Sequence, residues 1–208
     1  MTDSNRFGRQ RLAWAILTGS FFSCILLSVT IPLGIRAILQ NSTQSLDISV
    51  QANQGTVGIE EQNGQRRAVL VGEPPQTVGA QSSIRTDTTA SALLTVRSPE
   101  QLEPLTTLQV SGNSIVQFKE ATAPRFGLSD NAYRMDLDLQ AGRVRLDIPS
   151  YTSRPLEVLL TTPQESNILI SEPGRYTLEV SNDVTQVTAQ SMGEAVITAD
   201  GRTLVLGP

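Results

Sequence analysis

The chain has 208 residues, with 16 lysines and arginines against 20 acids, one cysteine and no histidine. Without histidine, Ser-His-Asp and Cys-His catalysis and the commonest zinc ligand are excluded, and the lone Cys24 excludes an internal disulfide. The net charge is −4, and the −7 carried by residues 37–208 opposes binding of that part to nucleic acid or to anionic lipid headgroups.

Residues 1–11 carry Arg6, Arg9 and Arg11 against Asp3. Then LAWAILTGSFFSCILLSVTIPLGI, Leu12 to Ile35, runs 24 residues without a charge. As a helix this reaches about 36 Å, enough to cross a hydrocarbon layer of roughly 30 Å. A transmembrane helix over residues 12–36 is predicted, which makes the membrane the first partner. The basic leading flank favours a cytoplasmic N-terminus and an extracytoplasmic remainder, at the plasma or inner membrane. A cleaved signal peptide competes, but the apolar stretch is longer than a typical signal and no small-x-small cleavage site stands out near its end. Phe21-Phe22-Ser23 is a poor match to lipoprotein processing, so Cys24 reads as an intramembrane thiol. Trp14 suits an interfacial anchor. Pro32 and Gly34 are placed to kink or end the helix near its outer end.

Residues 37–54 are polar and carry one acid, Asp47, and they read as a juxtamembrane linker with one short strand at Leu46 to Val50. Asn41-Ser42-Thr43 fits a glycosylation sequon, a triplet common by chance. Past residue 36, twelve cations face nineteen acids, a net −7, and the aromatic residues are only Phe118, Phe126, Tyr133, Tyr151 and Tyr176. That is little material for stacking sugars.

From residue 55 to 208 the apolar period is two. In TVGIEEQNGQRRAVLV, Asn63-Gly64 is the preferred pair for a two-residue hairpin. That turn sets Ile59 against Ala68, Val57 against Leu70, Glu60 against Arg67 and Glu61 against Arg66. In RMDLDLQAGRVRLDI, a turn at Ala141-Gly142 brings Met135, Leu137 and Leu139 to meet Val144, Leu146 and Ile148. It pairs Asp138 with Arg145 but also sets Asp136 opposite Asp147, a like-charge clash that calls for screening or a longer turn. A third turn at Asp200-Gly201 puts Ile197 opposite Leu204. Further strands are expected at Ala90 to Val96, Thr107 to Val110, Ile115 to Lys119, Leu156 to Thr161, Asn167 to Ile170, Tyr176 to Val180 and Val184 to Ala189, punctuated by prolines. Short strands with turn signals every 8–12 residues indicate an all-β, antiparallel sandwich or jelly roll. Gly-Arg recurs at 142–143, 174–175 and 201–202, too unevenly for a solenoid, and reads as glycine turns followed by solvent-facing arginines.

Two acidic groups invite a functional reading. Asp136, Asp138 and Asp147 could hold a hard cation, and Glu60-Glu61 could form a catalytic carboxylate couple. Interleaved arginines favour solvated, ion-paired sheet faces in both places. No catalytic, cofactor-binding or metal-ligating residue is assigned, and no cofactor is expected.

The run QTVGAQSSIRTDTTASALLTV resembles the opening of FecR-type extracytoplasmic domains, through Val78, Gly79, Ile84, Thr86, Ala90, Ala92 and Leu94. TLQVSGNSIVQF, LDLQAGRVRLDI, PLEVLLTTP and MGEAVITADGRTLVLGP are similar to later elements of the family in the same order, so the likeness spans residues 77–208. Pro173-Gly174-Arg175-Tyr176 departs from a Gly-Thr-x-Phe step that the family often has there. Only eleven residues precede Leu12, too few to fold as an anti-sigma domain. The resemblance therefore implies the fold and the single-pass topology, and not an iron-signalling role. The expectation is a non-catalytic, membrane-anchored interaction or signalling module of the cell envelope, with an unidentified envelope protein or wall component as partner. A lipid- or ligand-shuttling jelly roll of the lipopolysaccharide-transport type is the alternative.

Overall fold

The computed structural model describes residues 4–99, 103–127, 129–190, 193–199 and 201–207. One helix, α1 (Ser4–Asn41), leads into β1 (Thr43–Ser45), β2 (Asp47–Gln54), β3 (Thr56–Glu60), β4 (Arg66–Leu70), β5 (Gln76–Val78), β6 (Ser83–Thr86), β7 (Ser91–Arg97) and β8 (Pro104–Val110). There follow β9 (Ile115–Pro124), β10 (Tyr133–Ile148), β11 (Leu156–Thr161), β12 (Asn167–Ile170), β13 (Gly174–Val180), β14 (Thr185–Gln190), β15 (Ala195–Ala199) and β16 (Arg202–Leu206). The protein is all-β with one N-terminal helix, as the period-two patterning predicts. It divides into two compact units.

The first unit is α1 with the segment Arg125–Asp130. The helix is long and apolar enough to cross a membrane. It exposes Trp14, Phe21, Phe22, Leu26 and Leu33, and so lacks the polar face of a surface helix. Its hydroxyls turn back onto the helix: Thr18 Oγ1 donates to the Trp14 carbonyl at 2.7 Å, Ser28 Oγ to Ile25 at 2.8 Å and Thr30 Oγ1 to Leu26 at 2.8 Å. In an apolar solvent such internal bonds are the available partners. Pro32 lies inside the helix, which continues to Asn41. Carbonyls orphaned at its end are taken up by the 125–130 segment: Arg125 N–H donates to Ser42 O at 2.9 Å and Ser129 Oγ to Gln40 O at 2.7 Å.

The second unit is a sandwich of two sheets. The first runs β4-β3-β6-β9-β10-β11-β12-β15-β16, with β1 also on β9. The second runs β5-β2-β7-β8-β10-β13-β14. Inward rows such as Leu137–Leu160–Ile168 and Leu146–Leu108–Leu94 follow the cross-strand registers and are buried to within 1%. Phe118 and Tyr176 are the largest of the fully buried side chains, each contributing on the order of 1.5–3 kcal/mol.

Strand β10 belongs to both sheets. Tyr133–Ala141 pairs with β9 and, in parallel, with β11, whereas Gly142–Ile148 pairs with β8 and β13. This corrects the hairpin expected at Ala141-Gly142. Gly142 is a kink inside one strand, at φ +91°, where a Cβ would come within 2.6 Å of Ser114 Cα and 2.7 Å of Asn113 O. Ser114 clamps the bend, its Oγ accepting from the Arg143 N–H at 3.0 Å. The kink also explains the parallel pair. Parallel neighbours need a crossover of a dozen or more residues, and the second half of β10 with the following loop supplies it through the other sheet.

The Asn63-Gly64 turn is corrected by one residue. Glu61 N–H donates to Gln65 O and Gly64 N–H to Glu61 O, both at 2.9 Å, so the loop holds three residues with Gly64 at φ +79°. The register becomes Glu60↔Arg66 and Val57↔Val69. A one-residue slip exchanges the faces of a strand: Val69 is fully buried, and Leu70, expected inside, is 50% exposed. The third hairpin has the expected register, Ile197↔Leu204, with Gly201 at φ +71°, and Asp200 lies outside the described residues.

The linker expected over residues 37–54 is replaced by structure. α1 extends to Asn41, and Leu46, between β1 and β2, joins Ile48, Val50 and Ala52 of β2 in the core. The short strand expected at Leu46 to Val50 corresponds to β2, which runs on to Gln54; the Gln, Ser and Asn on its outward side gave the segment the composition of a linker.

Candidate functional site

The acidic residues singled out in the sequence are separated or neutralised. Glu60 pairs with Arg66 at 3.0 Å and Glu61 with Arg67 at 2.9 Å. Asp138 lies 3.8 Å from Lys119 on the first sheet, and Asp147 lies 3.2 Å from Arg175 on the second. Asp136 is half-buried opposite Glu120, and its Oδ1 is buried without a hydrogen-bond partner. Burial, and then Glu120, raise its pKa, with Arg134 and Lys119 opposing. Among the described residues, no group of three or more Cys, Asp and Glu side chains is placed to hold a metal. At the sequon, Asn41 Nδ2 donates to Ala37 O and Ser42 Oγ to Ile38 O, so both side chains are engaged at the end of α1. Cys24 is exposed on the helix.

The ends of the sandwich differ in how they are closed. At the β4–β5 end, Arg67 Nη2 donates to the Thr77 carbonyl at 2.6 Å and joins the two sheets. Glu73 Oε2 accepts from the Leu70 N–H at 3.1 Å, capping the β4 edge. Next to the β14 edge, the buried Tyr176 hydroxyl reaches the carbonyls of Glu172 at 2.8 Å and Glu194 at 3.2 Å. Gly193 leaves room for that ring, since a Cβ there would approach it to 2.6–2.9 Å. Burial raises the pKa of Tyr176 and keeps the hydroxyl a donor. Strand β14 turns Gln186, Thr188 and Gln190 outward.

Strand β16 is different. It pairs only with β15 among the described residues, and its other edge is open. Leu204 continues the inward row Leu160–Ile168–Ile197 yet is 62% exposed, and Val205 on the outer face is 56% exposed. The strand carries a single charge, Arg202 at its start. Sheet edges are ordinarily blunted by charge, proline or a cover, and among the described residues β16 has none of these over Thr203–Leu206.

The second feature is a groove of about 530 Å³ across β3, β6, β9 and β10 on the outer face of the first sheet. Carboxamides from Gln62, Gln81, Gln117 and Gln140 line it with Arg85 and Ser83. Sequence reading missed both features: neither Arg85 nor the four glutamines stand in any recognisable spacing, and only the registers bring them together. Comparison with known proteins finds no matching family, no matching curated protein and no matching solved structure.

Proposed function

We propose that this chain is a membrane-anchored interaction module of the cell envelope, its β-sandwich outside the membrane and its activity non-catalytic. The observation that carries the reading is the open, nearly uncharged edge of β16 on a protein whose α1 is long and apolar enough to cross a membrane. An extended segment of an envelope protein would add a strand there. Main-chain hydrogen bonds would supply affinity, and side-chain contacts to the exposed Leu204 and Val205 would supply specificity. The same reading extends the FecR-type likeness of residues 77–208 to a signalling role, with α1 anchored from the cytoplasmic side by Arg6, Arg9 and Arg11.

Two measurements test it. A reporter that works only outside the cytoplasm, fused behind Gly207, should be active, and signal from a cytoplasm-only reporter would reverse the topology. A photo-crosslinker at Leu204 should give one discrete adduct in membranes. Val205→Lys, which places a charge on the edge without filling the core, should abolish that adduct at unchanged thermal stability. An adduct indifferent to Val205→Lys would exclude β16 as the docking edge.

A further inference from the structure

We propose that the groove across β3, β6, β9 and β10 is a binding site for a short peptide ending in a free carboxylate. The groove lies several strands away from β16 in the same sheet, and the proposal goes beyond the docking reading above.

The charges of the groove resolve as follows. Glu60 and Glu61 project into it but are held by Arg66 and Arg67. Lys119 is shared between Asp138 and, at 3.4 Å, the Thr161 hydroxyl. Among the described residues Arg85 has no ion pair and no side-chain hydrogen bond; it is exposed and flanked across the sheet by Gly58 and Ile115. A planar guanidinium with its donors unused is matched by a carboxylate, which it binds through two parallel bonds.

Gly58 strengthens the assignment. It lies in the middle of β3 without a positive φ, so its backbone does not require glycine. A Cβ would meet only Arg85 O, at 3.8 Å. Glycine weakens a strand, and one with no conformational reason marks a place where something approaches the backbone closely. Here the missing side chain leaves Arg85 accessible from the β3 side.

The remaining lining matches amides. Gln62, Gln81, Gln117 and Gln140 make no side-chain hydrogen bond within the described chain, and each offers one acceptor and two donors. Those are the complements of peptide N–H and C=O groups. Gln81 sits at φ +67°, in the left-handed region that non-glycine residues rarely occupy. The volume falls within the roughly 300–1,000 Å³ of small-ligand sites. Phosphate fits less well, because phosphate sites gather several arginines and this groove has one unpaired guanidinium beside two carboxylates. A glycan also fits less well, because no aromatic ring lines the groove among the described residues.

The test is calorimetric titration of the full-length chain in detergent micelles with N-acetyl-trialanine. Saturable binding is expected at a Kd near or below about 1 mM, with the C-terminal amide of the same peptide at least about tenfold weaker. Arg85→Gln should lose about tenfold at an unchanged melting temperature. Gly58→Val should lose binding while the melting temperature holds or rises, since valine suits a strand better than glycine. No saturable heat would overturn the proposal. Equal binding of acid and amide, or indifference to Arg85→Gln, would overturn it too. Stronger binding of inorganic phosphate or of chitotriose would replace the ligand class. Acetate binding as tightly as the peptide would remove the role of the glutamines. None of these outcomes depends on whether β16 docks a partner.

Discussion

Replacing Gly142 with alanine tests whether β10 is one kinked strand or two strands of a hairpin. At φ +91° an L-residue is in left-handed backbone, which costs roughly 1–2 kcal/mol. The added methyl would also meet Ser114 Cα at 2.6 Å and Asn113 O at 2.7 Å, and that wall cannot easily retreat. The Ser114 N–H is bonded to Thr86 Oγ1 at 3.0 Å and its Oγ to the Arg143 N–H at 3.0 Å. Overpacking of this kind adds about 1–3 kcal/mol, so the total is about 2–5 kcal/mol. Gly64→Ala is the control. Its φ of +79° carries a similar conformational cost, but the new methyl meets nothing within 4 Å, so it should lose only about 1–2 kcal/mol. At about 2–4 °C per kcal/mol for a domain of this size, Gly142→Ala should melt about 4–20 °C lower. Circular dichroism of the β-band is the suitable readout, because the only tryptophan, Trp14, reports on α1 and not on the sandwich. Equal losses at the two glycines would refute the crowded kink, since a hairpin tip leaves its glycine open.

Three further outcomes are expected. Val69→Asp should unfold the sandwich or cost more than about 3 kcal/mol, while Leu70→Asp should stay within about 0.5 kcal/mol in urea titrations; the reverse order would restore the two-residue turn. Thr86→Val should cost about 1–3 kcal/mol by the same assay, because the buried hydroxyl serves both Ser111 O at 2.6 Å and the Ser114 N–H, and a loss below about 0.5 kcal/mol would show that the bonds are dispensable. Asp136 holds its proton more tightly folded than unfolded, so its contribution to stability is fully present below its ordinary pKa of 3.8 and is lost as pH rises through the folded value. Asp136→Asn should therefore raise the melting temperature more at pH 7 than at pH 3, and an equal gain at both would remove burial of the charge as the cause.

Much of this architecture is legible in the residues because each strand has one dry and one wet side. The alternation placed β7, β11, β12 and β13 correctly and found the first half of β9, and Asp200-Gly201 carried the register of the last hairpin. What failed was connectivity. At Ala141-Gly142 the inward residues change from odd to even, from Leu139 to Val144, and a hairpin and a kink between sheets produce the same change. The clash of Asp136 with Asp147 in the hairpin register was the one sign against it. At Asn63-Gly64 the charges could not decide, because Glu60 and Glu61 find arginine partners in either register. The groove was illegible for a different reason: Arg85, Gln117 and Gln140 are far apart in sequence, and only cross-strand pairing makes them neighbours.

Because Tyr133–Ile148 serves both layers, the sandwich has no seam along which it could be divided. A cut within these sixteen residues would take an interior member from each layer at once. Fragments ending or starting there should not persist as separate half-proteins, and shortening from either side should give loss in a single step instead of a surviving smaller fold.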